Sequence, residues 1–311
     1  MSLVSAMKRS LTTAINSGPR LSWVRSGGLS QVRGFTLRSD MYTYVIEVEA
    51  QDLDMGAGRR VAYKKLHADK MPTIVMVPGL YPHTSMDCKK ADGMITYCDM
   101  YDYSCVVYDN ECTGQSSGDA SKVMFSHWIE DALTVIDKLT DGPVVLIGSG
   151  VGGWLSLIAA QAIPPEKLHG LVLISPAVNH VWSNYNLDIG LKKHLAEDSL
   201  KHEINMNQTI NIGCPVRIIS SLNDKDISLK HHLELAASLK TKDVDFIYRK
   251  SSDHMLENIY DLDLILDTVN RMLLDYPARQ TLTEEEKLKA EEKKEKVLHD
   301  DIMRKIAEWE F

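Results

Sequence analysis

The chain has 311 residues, 44% of them hydrophobic and 25% charged, a balance that supports a folded core and excludes a disordered polymer. No apolar stretch reaches the roughly 18 residues that a membrane-spanning helix needs. The net charge of −8 is unevenly spread: residues 1–39 carry Lys8, Arg9, Arg20, Arg25, Arg33 and Arg38 and no acid, so all 43 acidic side chains follow them. An acidic body lacks the clustered positive field that nucleic acid requires, so no nucleic-acid partner is expected. Five cysteines, Cys88, Cys98, Cys105, Cys112 and Cys214, are odd in number and form no CxxC pair. They read as buried free thiols in a reducing compartment, and the Asn207-Gln208-Thr209 sequon as a chance match.

Arginine, serine and small residues dominate the first forty positions, with Leu3, Met7 and Leu11 on one helical side and Lys8 and Arg9 nearby. The composition predicts a mitochondrial transit peptide over residues 1–40, cleaved in the 25–40 region, and hence a matrix location. A disordered basic tail on a cytosolic protein is the competing reading.

From about residue 42 strands and helices alternate. Tyr42–Val48 and Arg60–Lys65 alternate like half-buried antiparallel strands about a Gly56-Ala57-Gly58 turn. Short apolar runs of the buried parallel type follow at Thr73–Val77, Cys105–Tyr108, Val144–Ile147, Leu171–Ile174, Val216–Ile219 and Val244–Tyr248. Trp128, Ala132, Val135, Ile136 and Leu139 have helical spacing, as do Leu262, Ile265, Val269 and Met272. The pattern predicts an α/β domain over 41–277, a mostly parallel sheet with helices on both faces and an antiparallel hairpin at its edge. Residues 178–213, polar with a helical middle, are expected to form a lid. Residues 278–311 stand apart. A capping box at Thr283 and Glu286 opens a charged helix with a thin stripe of Leu288, Leu298, Ile302 and Ile306 ending at Trp309 and Phe311. It reads as a solvated single helix or as a docking helix for a protein partner.

The most informative stretch is Val144-Val145-Leu146-Ile147-Gly148-Ser149-Gly150-Val151-Gly152-Gly153-Trp154. Gly148, Gly150 and Gly153 satisfy a dinucleotide GxGxxG, yet the next strand, ending Ile174-Ser175-Pro176, lacks the ribose-binding acid that motif needs. The same turn fits a nucleophile elbow, in which outer glycines let a strand reverse into a helix and lift the central residue above the sheet. Gly148 and Gly152 are the outer glycines, and the central residue is Gly150 where serine is expected. Asp224 and His254, each just past an apolar strand, follow in the order acid then base. Val77-Pro78-Gly79-Leu80 ends a strand where one oxyanion amide belongs, at Leu80, with Val151 offering the second.

On these residues the chain from about 43 to 275 resembles the mitochondrial α/β-hydrolase-domain family of S-depalmitoylases and mycophenolic-acid acyl-glucuronide esterases. The matching segments are Val77-Pro78-Gly79, Asp137–Pro143, Val151–Leu155, Asn211–Arg217 and Arg249–His254. The resemblance implies an α/β-hydrolase fold, an acyl thioester or small ester as ligand, no cofactor, and Asp224 and His254 as acid and base. It puts the nucleophile at Gly150, which has no attacking atom, and Cys112 stands where the family has glycine. The expectation is a pseudo-hydrolase that binds acyl groups or a protein. The rival is an active hydrolase that uses activated water or Ser149, although Ser149 has bulky Ile147 and Val151 where an elbow needs room. No HExxH or similar ligand set occurs, so no metal is expected, and His231 and His232 are expected to point apart on their helix.

Overall fold

The structure, a computed structural model, describes residues 36–38, 41–43, 46–80, 82–179 and 189–274. The expected transit segment lies mostly outside these residues, as do the charged helix after 278 and residues 180–188 of the expected lid. Thr36–Arg38 (β1) pairs antiparallel with Met41–Thr43 (β2).

Eight further strands form one sheet in the order β10-β9-β8-β7-β5-β6-β4-β3. They are β3 (Gln51–Gly56), β4 (Arg59–Leu66), β5 (Lys70–Val77), β6 (Tyr103–Tyr108), β7 (Val144–Ser149), β8 (Leu168–Ile174), β9 (Val216–Ser221) and β10 (Val244–Arg249). The six strands β5 to β10 run parallel, and β4 and β3 extend the sheet antiparallel at one edge. Ile74, Val75, Val144–Ile147 and Leu171–Ile174 are all buried. A strand covered on both faces needs apolar residues on both, so these read as unbroken apolar runs in the sequence.

The hairpin corrects one expectation. Ala57 and Gly58 form a two-residue turn with φ of 53° and 78°, and such a turn demands strands immediately on either side of it. The strand that pairs with β4 is therefore Gln51–Gly56, not Tyr42–Val48, whose alternation mimicked a strand at the wrong distance from the turn.

The helices are α1 (Lys89–Tyr101), α2 (Phe125–Leu139), α3 (Val151–Ala162), α4 (Ile189–Ser199), α5 (Leu229–Ser238) and α6 (Ile259–Leu274). Tyr97 on α1 donates to Asn270 on α6 at 2.9 Å. Ser126 on α2 donates to Asp198 on α4 at 2.6 Å. Right-handed crossovers put α1 on one face and α2, α3, α4 and α5 on the other, because the chain moves outward in opposite directions from β5. The chain switches direction between β5 and β7, and the ends of those two strands flank the crevice where open α/β sheets place their ligands. Cys88, Cys98 and Cys105 are buried and Cys112 and Cys214 half-buried, all outside disulfides. No described helix is long and apolar enough to cross a membrane.

Candidate active site

Strand β7 ends at Ser149, Gly150 follows with φ 58° and ψ −121°, and α3 begins at Val151. Side chains rarely adopt that backbone conformation, and it persists only where the surroundings over-determine it. Here they do: Gly150 N–H donates to Ile174 O at 2.9 Å, and Gly150 O accepts from Gly153 and Ala177 at 3.0 and 2.9 Å. The segment turns sharply from strand to helix, as an elbow must.

The surrounding glycines divide into two kinds. A Cβ on Gly152 would lie 2.2 Å from Val77 O, one on Gly79 would lie 2.6 Å from Ser149 O, and one on Gly148 would lie 2.3 Å from Gly152 O. Backbone presses on backbone at those three positions, so only hydrogen fits. A Cβ on Gly150 would meet only His254 Nε2, at 4.0 Å. One further C–O bond would carry a hydroxyl within the reach of about 2.6–3.2 Å that proton transfer requires. Gly150 thus has room for a side chain, and that side chain would face the histidine.

Asp224 follows β9, His254 follows β10, and His254 Nδ1 lies 2.8 Å from Asp224 Oδ2. The Asp224 side chain is 1% exposed and that of His254 12%. Asp224 Oδ1 accepts the amides of Asp226 and Ile227, both at 2.9 Å. Burial pushes this carboxyl up, but the bond to His254 and those two amides outweigh it and hold it below the usual carboxylate range. The two loops are tied together: Ser221 Oγ donates to Ser252 O at 2.5 Å and Leu222 N to Arg249 O at 2.9 Å. Lys90, buried at the start of α1, donates from Nζ to Met255 O at 2.8 Å and to Glu257 at 3.3 Å. It fastens the histidine loop from the opposite side.

Leu80 is buried three residues beyond β5. Its loop is fixed by Gly79 N–H donating to Thr84 Oγ1 and the Thr84 hydroxyl donating to Leu80 O, both at 2.9 Å. Val151 is the first residue of α3, where a helix leaves its amides without intrahelical partners. The Gly79 backbone packs directly on Val151 and Gly152, so the two loops expected to supply oxyanion amides abut. Ser149 closes β7, paired with Ile174. Being one residue before Gly150, it projects to the other side of the strand.

Three further features surround the site. Cys112, where a glycine was expected, has φ 59°, so the backbone keeps the conformation that favours glycine; burial, then the charge of Glu111, pushes its thiol up to about 11. His231 and His232 do not diverge: their rings lie 6.1 Å apart, edge to face. The His232 side chain is driven under α5 into full burial, and burial together with His231 pulls it down to about 4. Asp226, which sequence reasoning passed over, lies with Asp224 and His254 so that one ligand atom from each falls within 4.8 Å of the others. The Asp224 oxygens are already committed to His254 and to the two amides, so a cation there would have to break the dyad. Asp226 and His232 carry no motif, and only the closing of β9 and β10 brings them to the site.

The chain has the α/β-hydrolase fold. Residues 69–202 match the family described as Hydrolase_4, serine aminopeptidase, S33. The chain is homologous to the mitochondrial palmitoyl-protein thioesterase ABHD10: it is 29% identical to the human protein over 68% of this chain and 76% of that one. The mouse counterpart is 27% identical over 68% and 78%. The solved structure of α/β-hydrolase domain-containing protein 10 from mouse superposes with TM-score 0.66 at 25% identity, covering 73% of this chain and 99% of that one. A ferulic-acid-bound Est1E from Butyrivibrio proteoclasticus shares the fold at TM-score 0.60 and 14% identity, over 74% and 100% of the two chains.

Proposed function

We propose that this protein is a catalytically impaired relative of the acyl-protein thioesterases, working in the mitochondrial matrix, which recognises acyl groups without forming an acyl-enzyme. The observation that carries the reading is Gly150 itself: elbow geometry, an intact Asp224–His254 pair, and His254 Nε2 facing a position with no nucleophilic atom. Asp224 and His254 keep the places of acid and base, and Leu80 and Val151 the places of the oxyanion amides. Without a nucleophile, such a site retains only the part of the rate due to oxyanion stabilisation and binding, about 10³–10⁴ over the uncatalysed reaction in a comparable triad. The protein partner is assigned to residues 281–311, whose two terminal aromatics are costly to leave in water.

The test is turnover of p-nitrophenyl octanoate and of an acyl thioester, together with labelling by a fluorophosphonate, which marks activated serines. The native protein should show no labelling and no ordinary turnover. Gly150→Ser should be labelled at position 150. Ordinary turnover of the native protein that is lost in His254→Ala, or labelling at Ser149, would establish the rival reading of an active hydrolase.

A further inference from the structure

We propose that the open position at Gly150 binds a free carboxylic acid, held as its carboxylate, one oxygen standing where a serine Oγ would be and the other at the amides of Leu80 and Val151. This rests on reading the pocket as an acyl site and names the form of acyl group it retains.

In an acyl-enzyme the serine oxygen is one of the two oxygens on the acyl carbon. Hydrolysis replaces it with a water oxygen, and the released acid must then share that space with the regenerated hydroxyl, which favours its departure. Glycine removes the competitor. The position stays open here, since Gly79, Gly148 and Gly152 around it are locked by backbone contacts and cannot close over it. Both oxygens of a carboxylate then have a place: the amide-lined turn at the start of α3, with its positive dipole end, and the space in front of His254 Nε2.

The proton balance selects the acid over its ester. His254 Nδ1 is bonded to Asp224, so in the neutral ring the proton sits on Nδ1 and Nε2 is an acceptor. A carboxylate can dock only with a proton between its oxygen and Nε2, which makes the ring an imidazolium stabilised by Asp224. Binding the anion therefore takes up one proton. An ester or thioester has no proton to share, and its second heteroatom carries a substituent aimed into the ring. The other ionisable groups facing His254 are Asp226 in the acid loop and the buried His232 of α5. Asp224 and Asp226 together disfavour a dianion, so inorganic phosphate is a poor fit.

The experiment is calorimetric titration of the full chain with octanoate, methyl octanoate, S-methyl thiooctanoate and inorganic phosphate, in two buffers of different ionisation heat. Octanoate should bind with the uptake of about one proton, and the ester and thioester about tenfold or more weakly, the loss of one charge-assisted hydrogen bond. Gly150→Ala, which fills the position, should weaken octanoate by about tenfold. If that variant does not fold, His254→Leu should give the same loss for octanoate and abolish its proton uptake. Equal binding of acid and ester, or competition by phosphate, would overturn the proposal and leave the acyl-site reading standing. Binding of neither acid nor ester would overturn both.

Discussion

Glycine meets two different demands around the elbow, and substitution separates them. At Gly152 a methyl group would be driven against Val77 O and Pro78, which are backbone atoms of a buried strand end and cannot yield without moving β5. At Gly150 a methyl has space, and its cost is the backbone conformation alone. Gly150→Ala or Gly150→Ser should therefore lower stability by about 1–3 kcal/mol, the strain of a side chain at such angles. Gly152→Ala, at an ordinary helical backbone conformation, should cost about 3 kcal/mol or more or fail to fold, since its methyl is overpacked against backbone atoms that cannot yield. Chemical denaturation of the three variants checks the order, and Gly152→Ala proving the milder change would contradict it. The motif legible in the sequence was this run of glycines. That Gly150 stands at a side-chain position was legible from the order of the motif; that Gly79, Gly148 and Gly152 admit no Cβ while Gly150 does was not, because the distinction lies in what each hydrogen faces.

Single contacts between elements hold the machinery in register. Asp198, at the end of α4, accepts both the amide and the hydroxyl of Ser126 at the start of α2, at 2.7 and 2.6 Å. Met124, in the cap position of α2, has no capping side chain, so the carboxylate comes from a different helix. Burial pushes Asp198 up, but Lys201 and Ser126 outweigh it and hold it down at about 2. Asp198→Ala should cost about 1–2 kcal/mol, as loss of a cap does, and should speed hydrogen exchange in residues 189–202 more than in β7. Equal acceleration everywhere would show a purely global effect. Sequence patterning found all six parallel strands and the cores of α2, α3 and α6, where apolar periodicity is dense. It missed α1, whose first residues Lys89-Lys90-Ala91-Asp92-Gly93 break the apolar stripe and whose cap residue Cys88 makes no side-chain bond. Lys90 sits in that unseen helix, which is why its grip on the histidine loop was invisible.

For the molecule as a whole, buried groups set opposing pH dependences: burial holds the Asp131 carboxyl up at about 7, so its contribution improves as pH falls, whereas that of His232 worsens. His232 is neutral in the fold at about 4 against an ordinary value of 6.5, so the unfolded chain takes up its proton first. The contribution of this group is then full above about pH 6.5 and falls as pH drops toward 4, by on the order of 2 kcal/mol at pH 4.5. Asp224, held low in the fold, adds a loss of the same sign at still lower pH. Denaturant titration at pH 7 and pH 4.5 should show His232→Gln gaining stability relative to the native protein at the lower pH; an unchanged difference between the two proteins would remove His232 as a source. The order of Gly150, Asp224 and His254 along the chain was readable because each follows a strand that ends at the same sheet edge. His232 and Asp226 were not, because one arrives from the flank of a helix and the other from within a loop.

The elbow also bears on ancestry. Because the turn is forced by backbone hydrogen bonds of Gly150 and by the close contacts of Gly79, Gly148 and Gly152, none of which uses a side chain at position 150, the presence or absence of a serine there leaves the architecture unchanged. Glycine codons GGC and GGT lie a single base from the serine codons AGC and AGT. Silent and armed forms of this scaffold are thus neighbours in mutational space, separated by one transition and a modest backbone strain rather than by a rebuilt fold.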